Sequence, residues 1–147
     1  MAALFSFEAH TPYRLFFSGK VESITLALTD GEISVRAGHS FFTAPVASCI
    51  LRITDETGAE RAAFVADGIL EVKDRKTVLM ADAAEWPEEI DAARALAAKE
   101  RAEAEAREAL FRFERETAKA KLRRAEFRLK ARELLAASAA PSAAPVS

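Results

Sequence analysis

A compact all-β domain of about 85 residues followed by a long, charged, alanine-rich helical arm is the fold class this sequence predicts. Three observations predict it. All five glycines (Gly19, Gly31, Gly38, Gly58 and Gly68) lie in the first half, where they supply the conformations that chain reversals need. Short apolar runs there alternate with polar residues. From Glu88 to Leu135 there is neither glycine nor proline, and the residues are almost wholly Ala, Glu, Arg, Lys and Leu, all strong helix formers.

The strands follow in order. Leu4-Phe5-Ser6-Phe7 and Leu15-Phe16-Phe17 come first. Ile24, Leu26 and Leu28 alternate with Thr25 and Ala27, so three aliphatic groups share one strand face. Ile33-Ser34-Val35, Ile50-Leu51-Arg52-Ile53, Ala63-Phe64-Val65, Ile69-Leu70-Glu71-Val72 and Thr77-Val78-Leu79-Met80 continue the pattern. Turn chemistry separates them at Thr29 to Glu32, Ala37 to His39, Asp55 to Gly58, Asp67-Gly68 and Asp74 to Lys76. About eight short strands at this spacing predict a β-sandwich or flattened barrel. Seven of the ten phenylalanines fall here and supply its core. Cys49, the single cysteine, reads as a small buried hydrophobe and excludes a disulfide framework.

The pattern changes at Glu85-Trp86-Pro87. Proline suits the first helical position, because its missing N–H would have had no helical partner. Glu88, Glu89 and Asp91 then stand where the helix dipole favours negative charge. One helix over 88–135 would be about 72 Å long, so a hairpin is expected, with the break between Phe111 and Thr117 and Thr117 capping the second helix. No glycine or asparagine enforces that break, which leaves a continuous extended helix accessible. The expected division is a β domain over 1–84, a hairpin arm over 85–135 and a low-complexity, disordered tail over 136–147.

Charge is segregated along the arm. Glu88–Glu108 carries seven acidic and four basic residues, whereas Arg112–Glu133 carries four acidic and nine basic. Lys119, Lys121, Arg123, Arg124, Arg128, Lys130 and Arg132 form the basic helix. It can lie against the acidic first helix or reach an external acidic partner. The expected seam between the helices is made of small groups: Ala118, Leu122, Ala125 and Leu129 against Ile90, Ala93 and Ala97. Small contacts bury little apolar area, so docking of the arm should be marginal.

No residues carry an enzyme. There is no phosphate-cradling glycine loop, no Cys–His pair at metal spacing and no nucleophile elbow, and His10 and His39 lie in separate turns. A formal net charge of −2 and the absence of an aromatic stacking platform argue against nucleic acid. No signal peptide is read at the start of the chain, and no stretch is long and apolar enough to span a membrane.

The order and spacing of several segments then carry a resemblance. These are Thr11-Pro12, Phe17-Ser18-Gly19-Lys20-Val21-Glu22-Ser23-Ile24, Asp30-Gly31-Glu32-Ile33-Ser34-Val35-Arg36-Ala37-Gly38-His39, Gly68-Ile69-Leu70-Glu71-Val72, Thr77-Val78-Leu79-Met80-Ala81-Asp82 and Ile90-Asp91-Ala92-Ala93-Arg94-Ala95. Over roughly 4–135 the chain resembles the epsilon subunit of F-type ATP synthases. Two departures stand out: Ala37 where the family usually has proline, and Asp67 where it has a second glycine.

The resemblance implies a ten-stranded antiparallel β-sandwich followed by a two-helix hairpin that can extend. It also implies a non-catalytic place in the rotating central stalk, peripheral to the cytoplasmic face of a bacterial plasma membrane. The partners it implies are the gamma subunit, the membrane c-ring and the catalytic beta subunits. Asp30, Gly31, Glu32 and His39 match the loops that face the c-ring. The basic second helix matches the segment that, extended, suppresses ATP hydrolysis. Ile90, Asp91, Arg94 and Ala95 match the motif with which some members bind a regulatory ATP, Arg124 and Arg128 fall at the family's spacing from it, and Glu85 occupies a further position of that site. No cofactor is required on this reading, and no metal. The competing expectation is that Asp91 and Arg94 only stabilise their own helix, and the competing function is a scaffolding module of another complex.

Overall fold

The computed structural model describes residues 3–139, so the expected disordered tail lies outside the described residues except for its first positions, which continue a helix. The chain divides into two compact units after Glu85. The first is built from seven strands: β1 (Phe5–His10), β2 (Leu15–Leu28), β3 (Gly31–Arg36), β4 (Phe42–Val46), β5 (Cys49–Asp55), β6 (Glu60–Lys73) and β7 (Lys76–Glu85).

Seven strands, not ten, build the sandwich, because β2 and β6 each serve both layers. β2 pairs β1 through its first half, from Leu15 to Val21, and β3 and β5 through its second. β6 pairs β5 from Glu60 to Val65 and β4 from Gly68 to Val72. Runs that alternate separately in sequence, 15–17 with 24–28 and 63–65 with 69–72, are therefore single bent strands. Most pairings are antiparallel, but β1 runs parallel to β7, with Phe7 opposite Thr77 and Ala9 opposite Leu79. The pairings β2–β1–β7–β6–β5–β2 close on themselves, so those strands do not depend on an unpaired edge.

Strict alternation fills the space between the layers. Phe5, Phe7 and Ala9 of β1 are buried while Ser6, Glu8 and His10 face outward. Phe7, Ile24, Leu26, Val35, Leu51, Ile53, Phe64, Val65, Leu70 and Leu79 are fully buried, and Cys49 is buried among them as the sequence predicts. Burial pushes the Cys49 thiol up from its ordinary pKa, and its Sγ accepts a hydrogen bond from the Ala27 amide at 3.4 Å.

One turn signal and one strand differ from expectation. Asp67-Gly68 is not a reversal but the middle of β6. Glycine is needed there for space: a Cβ on Gly68 would stand 2.1 Å from the Met80 carbonyl oxygen and 2.7 Å from the Ala81 Cα. β4, by contrast, is not evident in the sequence, because Pro45 interrupts its run and cannot donate to a ladder. The strand tolerates it, and the Pro45 carbonyl accepts from the Thr29 amide at 3.4 Å.

The second unit starts with a 3-10 turn, Pro87–Glu89, and not with the helix expected from Glu88. The Glu89 side chain reaches back to accept from the Trp86 amide at 2.8 Å. Helix α1 runs Ala92–Glu108 and helix α2 Arg112–Ala139. The break falls at 109–111, meeting the expected stretch only at Phe111. Thr117 does not cap α2; it lies inside that helix, its hydroxyl donating to the Phe113 carbonyl at 3.0 Å.

The Gly68→Ala variant should lose about 2–3 kcal/mol of stability, the scale of overpacking at a closed backbone contact. Urea denaturation followed by tryptophan-independent far-UV signal of the strands checks this. An unchanged midpoint would contradict the close approach of β6 and β7.

Candidate functional site

Two surfaces, one around β3 and one on the helical arm, carry most of the residues singled out in the sequence, and a further surface is assembled by topology alone. The first surrounds β3, which pairs β2 along one side, with Ile24 opposite Val35 and Leu28 opposite Gly31. Asp30 lies in the turn entering β3, and Gly31 holds a φ of 142° that only glycine adopts readily. Glu32 is exposed on the strand. His39 lies beyond the other end, its amide donating to the Arg36 carbonyl at 3.2 Å, its Nδ1 3.0 Å from the Ser40 carbonyl and its ring 5.2 Å from that of Phe42. Six residues of strand separate the two groups by about 20 Å. A partner touching both Asp30 and His39 must therefore run the length of β3.

The second surface has no signature in the sequence, because topology alone assembles it. Leu15 lies opposite His10, His10 opposite Met80, Met80 opposite Ile69 and Ile69 opposite Pro45. These five form one row across β2, β1, β7, β6 and β4 on the outer face. Leu15, Met80 and Ile69 are each more than half exposed, at 55%, 63% and 53%. Five strands at about 4.8 Å spacing make the row about 19 Å wide. The adjoining row is charged: Glu8 Oε1 lies 2.9 Å from His10 Nε2, and Glu8 Oε2 lies 3.3 Å from Lys76 Nζ. The hydrogen bond with His10, then that with Lys76, holds the Glu8 carboxyl below its usual pKa. Glu71 and Lys73 pair at 3.3 Å nearby. Alternation in four separate strands is visible in sequence; that their outward apolar members coincide is not.

The third surface is the helical arm. Asp91 is the N-cap of α1, its Oδ1 accepting from the Arg94 amide at 3.1 Å. That local role matches the competing expectation for this pair, made through the Arg94 backbone. Ile90 and Ala95 are buried, while Asp91 and the Arg94 side chain are exposed. Glu85 belongs to the β unit, at the end of β7 opposite Phe64.

Two contacts set the register of the helices. Arg132 Nη1 donates to the Pro87 carbonyl at 3.2 Å, and Lys121 Nζ lies 3.4 Å from Glu105 Oε1. Arg124 and Arg128 fall between them on α2 and are half-buried. Lys119, Lys121, Arg123 and Lys130 are exposed.

The seam is alanine, but not entirely the alanines expected. Ala118 and Ala125 are buried with Leu122 and Leu129 half-buried, as the pattern on α2 predicts. On the first helix Ala95 and Ala102 are buried, whereas Ala93 and Ala97 are exposed. The helix starts at Ala92 after an extended Ile90 and Asp91, so the phase carried from Ile90 fails. At the turn, Leu110, Phe111 and Phe113 are 85%, 69% and 81% exposed. A cavity of about 420 Å³ beside it is lined by Glu105, Glu108, Phe113, Glu114, Thr117 and Lys121 among others, and by none of the nucleotide-motif residues. The Glu114 side chain accepts from the Phe111 amide at 3.3 Å. A glutamate three residues after the break is the signal that could have located it.

No cluster of three metal-ligating side chains occurs among the described residues, and no described helix is long and apolar enough to cross a membrane.

A β-sandwich unit followed by a two-helix hairpin of opposed charge is the class of protein that the fold defines. Residues 4–87 match the ATP synthase delta/epsilon chain β-sandwich domain family. An ATP synthase epsilon chain of Caldicellulosiruptor saccharolyticus is 48% identical over 128 residues, covering 87% of this chain and 93% of that one. Another, of Caldanaerobacter subterraneus, is 42% identical over 130 residues, covering 88% and 94%. The chain belongs to the ATP synthase epsilon chain family, whose members are non-catalytic subunits of that complex. The fold is shared with a chain of the Euglena gracilis mitochondrial ATP synthase, at a TM-score of 0.70 and 24% identity, covering 94% of this chain and 82% of that one. It is shared too with a chain from the central stalk and c-ring of the Tetrahymena thermophila enzyme, at 0.60 and 11%, covering 89% and 98%.

An Ala125→Asp substitution places an unpaired carboxylate in the buried seam. It should release α2 from α1 while leaving the β unit folded. The check is circular dichroism with limited proteolysis: faster cleavage within 109–139 and an intact 1–85 fragment are expected, and unaltered cleavage of the arm would contradict the seam.

Proposed function

We propose that this chain is a rotor subunit of the ATP synthase, peripheral to the membrane on its cytoplasmic side, and that its arm restrains ATP hydrolysis. The observation that carries the regulatory part is the alanine seam joining helices of opposite charge. Each buried methyl contributes about 0.8 kcal/mol, several-fold less than a leucine or phenylalanine contact would. A partner offering acidic groups to Lys119, Lys121, Arg123 and Lys130 competes with that seam on equal terms, because charge-assisted contacts are among the stronger ones. On this reading the acidic partner is the catalytic beta subunit. The exposed tip residues Leu110, Phe111 and Phe113 then gain cover when the arm opens.

The β unit is the mount. The apolar row Leu15, Met80, Ile69 and Pro45 suits docking on the gamma subunit, since its interruptions are internally paired and its centre is apolar. The length of β3, with Asp30, Gly31 and Glu32 at one end and His39 at the other, suits contact along the c-ring. A regulatory ATP would find Arg124 and Arg128 one helical turn apart on α2, the helix that packs on the one carrying Arg94. Asp91 already has a structural task there as an N-cap, so the arginines are the residues on which nucleotide binding depends.

Added to an ATP synthase complex lacking this subunit, the chain should restore coupling and lower ATP hydrolysis severalfold, and a chain ending after Glu85 should restore coupling without the inhibition. Unchanged coupling with the full chain would contradict the rotor assignment. For the nucleotide site, millimolar ATP should raise the Tm of the isolated chain, and Arg124→Ala with Arg128→Ala should abolish the shift. No shift in the unmodified chain would retire the ATP site and leave the rotor assignment standing.

A further inference from the structure

The surface that fits the seam of α1 is known, because it is α2 of the same sequence. Ala95 and Ala102 of α1 are buried, as are Ala118, Ala125 and Ala131 of α2. Lys121 Nζ lies 3.4 Å from Glu105 Oε1, and Arg132 Nη1 donates to the Pro87 carbonyl at 3.2 Å. Each of these contacts joins a residue ahead of the break to one beyond it. A second copy of the chain can therefore supply its α2 to this α1 and receive α2 in return, with every contact of the seam kept.

The turn decides whether that exchange has anything to gain. Ala109 is extended, at φ −65° and ψ 125°, and the Phe111 carbonyl already accepts the helical bond from the Arg115 amide at 3.1 Å. The reversal is thus confined to residues 109–111. None of them is glycine or proline and none has a positive φ, so no residue there requires the chain to turn back. Short connections of this kind favour exchange, since the reversal is relieved when the segment runs on. Extended, three residues span about 10 Å. In an exchanged pair they must cross from one helix pair to the other, so the two turn ends abut at a twofold axis. Leu110, Phe111 and Phe113, all strongly exposed in the single chain, are the residues that meet there. The flanking charges permit the approach: Glu105, Glu108, Glu114 and Glu116 are interspersed with Arg107, Arg112 and Arg115, so no block of one sign faces its copy.

We propose that two copies of this chain exchange α2 through the turn at 109–111. The product is a twofold dimer in which each α1 packs on the α2 of the other copy, and Leu110, Phe111 and Phe113 form the added contact that drives it. Opening the hairpin gives up mainly alanine contacts, so exchange needs no unfolding of the β unit. A chain in the dimer has its basic helix occupied by the acidic helix of its copy and withheld from any other partner. The inference uses neither the rotor reading nor the nucleotide site, and its test needs only the isolated full chain.

Two variants are made in a Cys49→Ala background, one with Glu88→Cys and one with Arg132→Cys. These positions meet at the end of the hairpin away from the turn, so contact between turns alone cannot join them. The two chains are refolded together at about 1 mM and at about 1 µM, then treated with a short bis-maleimide. The concentrated sample should show twice the monomer mass by light scattering and a covalent link between the two chains, and the dilute sample neither. Monomer at both concentrations would overturn the proposal. So would a dimer without the link between chains, because the turns would then touch without exchange. A Gly-Ser-Gly-Ser insertion after Leu110 relaxes the reversal, and Leu110→Ser with Phe113→Ser removes the contact at the axis. Each should raise the dimer Kd at least about tenfold while the helical circular dichroism of the monomer is kept. An unchanged Kd in both would contradict the role given to the turn.

Discussion

β2 and β6 are fourteen residues each, and every other strand of the β unit hangs on one or both of them. A strand that long must bend to serve two layers, and its two halves must keep their inward residues in phase with different partners. Val21, Ile24 and Leu26 stay buried along β2, although the register slips between Val21 and Ser23 where the strand passes from one set of partners to the next. β6 passes the same point through Gly68, the one position where the neighbouring backbone leaves no room for a Cβ. This bend creates both the closed core and the flat outer face on β1, β7, β6 and β4. The row that we read as a docking surface is therefore a by-product of how the sandwich closes.

The arm is held by a different balance. The β unit is filled by phenylalanine, isoleucine and leucine, while the helices meet through Ala95, Ala102, Ala118, Ala125 and Ala131. Backbones come close at such a seam, but little apolar area disappears. Polar contacts such as Lys121 with Glu105 lie at its exposed margins, where screening leaves an ion pair worth little. The helices are themselves good helix formers, so the local conformation persists whether or not they touch. Stable helices joined by a weak seam give a part that can change position without unfolding. The turn fits that account, since Leu110 and Phe111 have no conformational need to lie outside a helix.

Sequence made some of this plain and hid the rest for physical reasons. Alternation at Ile24, Leu26 and Leu28, the position of Pro87 and the composition from Glu88 onward report local preference, and the β unit and the arm follow from them. Local preference says nothing about how many runs one bent strand spans, so the sandwich has seven strands where ten were implied. Gly68 looks like a turn in sequence because a glycine's freedom and a glycine's smallness leave the same mark there. Ala93 and Ala97 fit the seam only for a helix that starts at Glu88, and a start four residues later, at Ala92, rotates that stripe away from its partner. Among the site residues, the Asp91 to Ala95 motif was legible as a string, but the task of Asp91 as a cap was one of two open readings. The row through His10 was illegible, because its members come from five strands and only the pairing brings them together.

The central claim is that the arm is marginally docked while its mount is rigid, and amide hydrogen exchange of the isolated chain tests it most directly. The account predicts that amides of α1 and α2 exchange orders of magnitude faster than those of β2, β5 and β6, with the arm opening as a unit. Arm amides as protected as those of the strands would contradict it, because a hairpin that opens only when the whole protein unfolds cannot act as a lever.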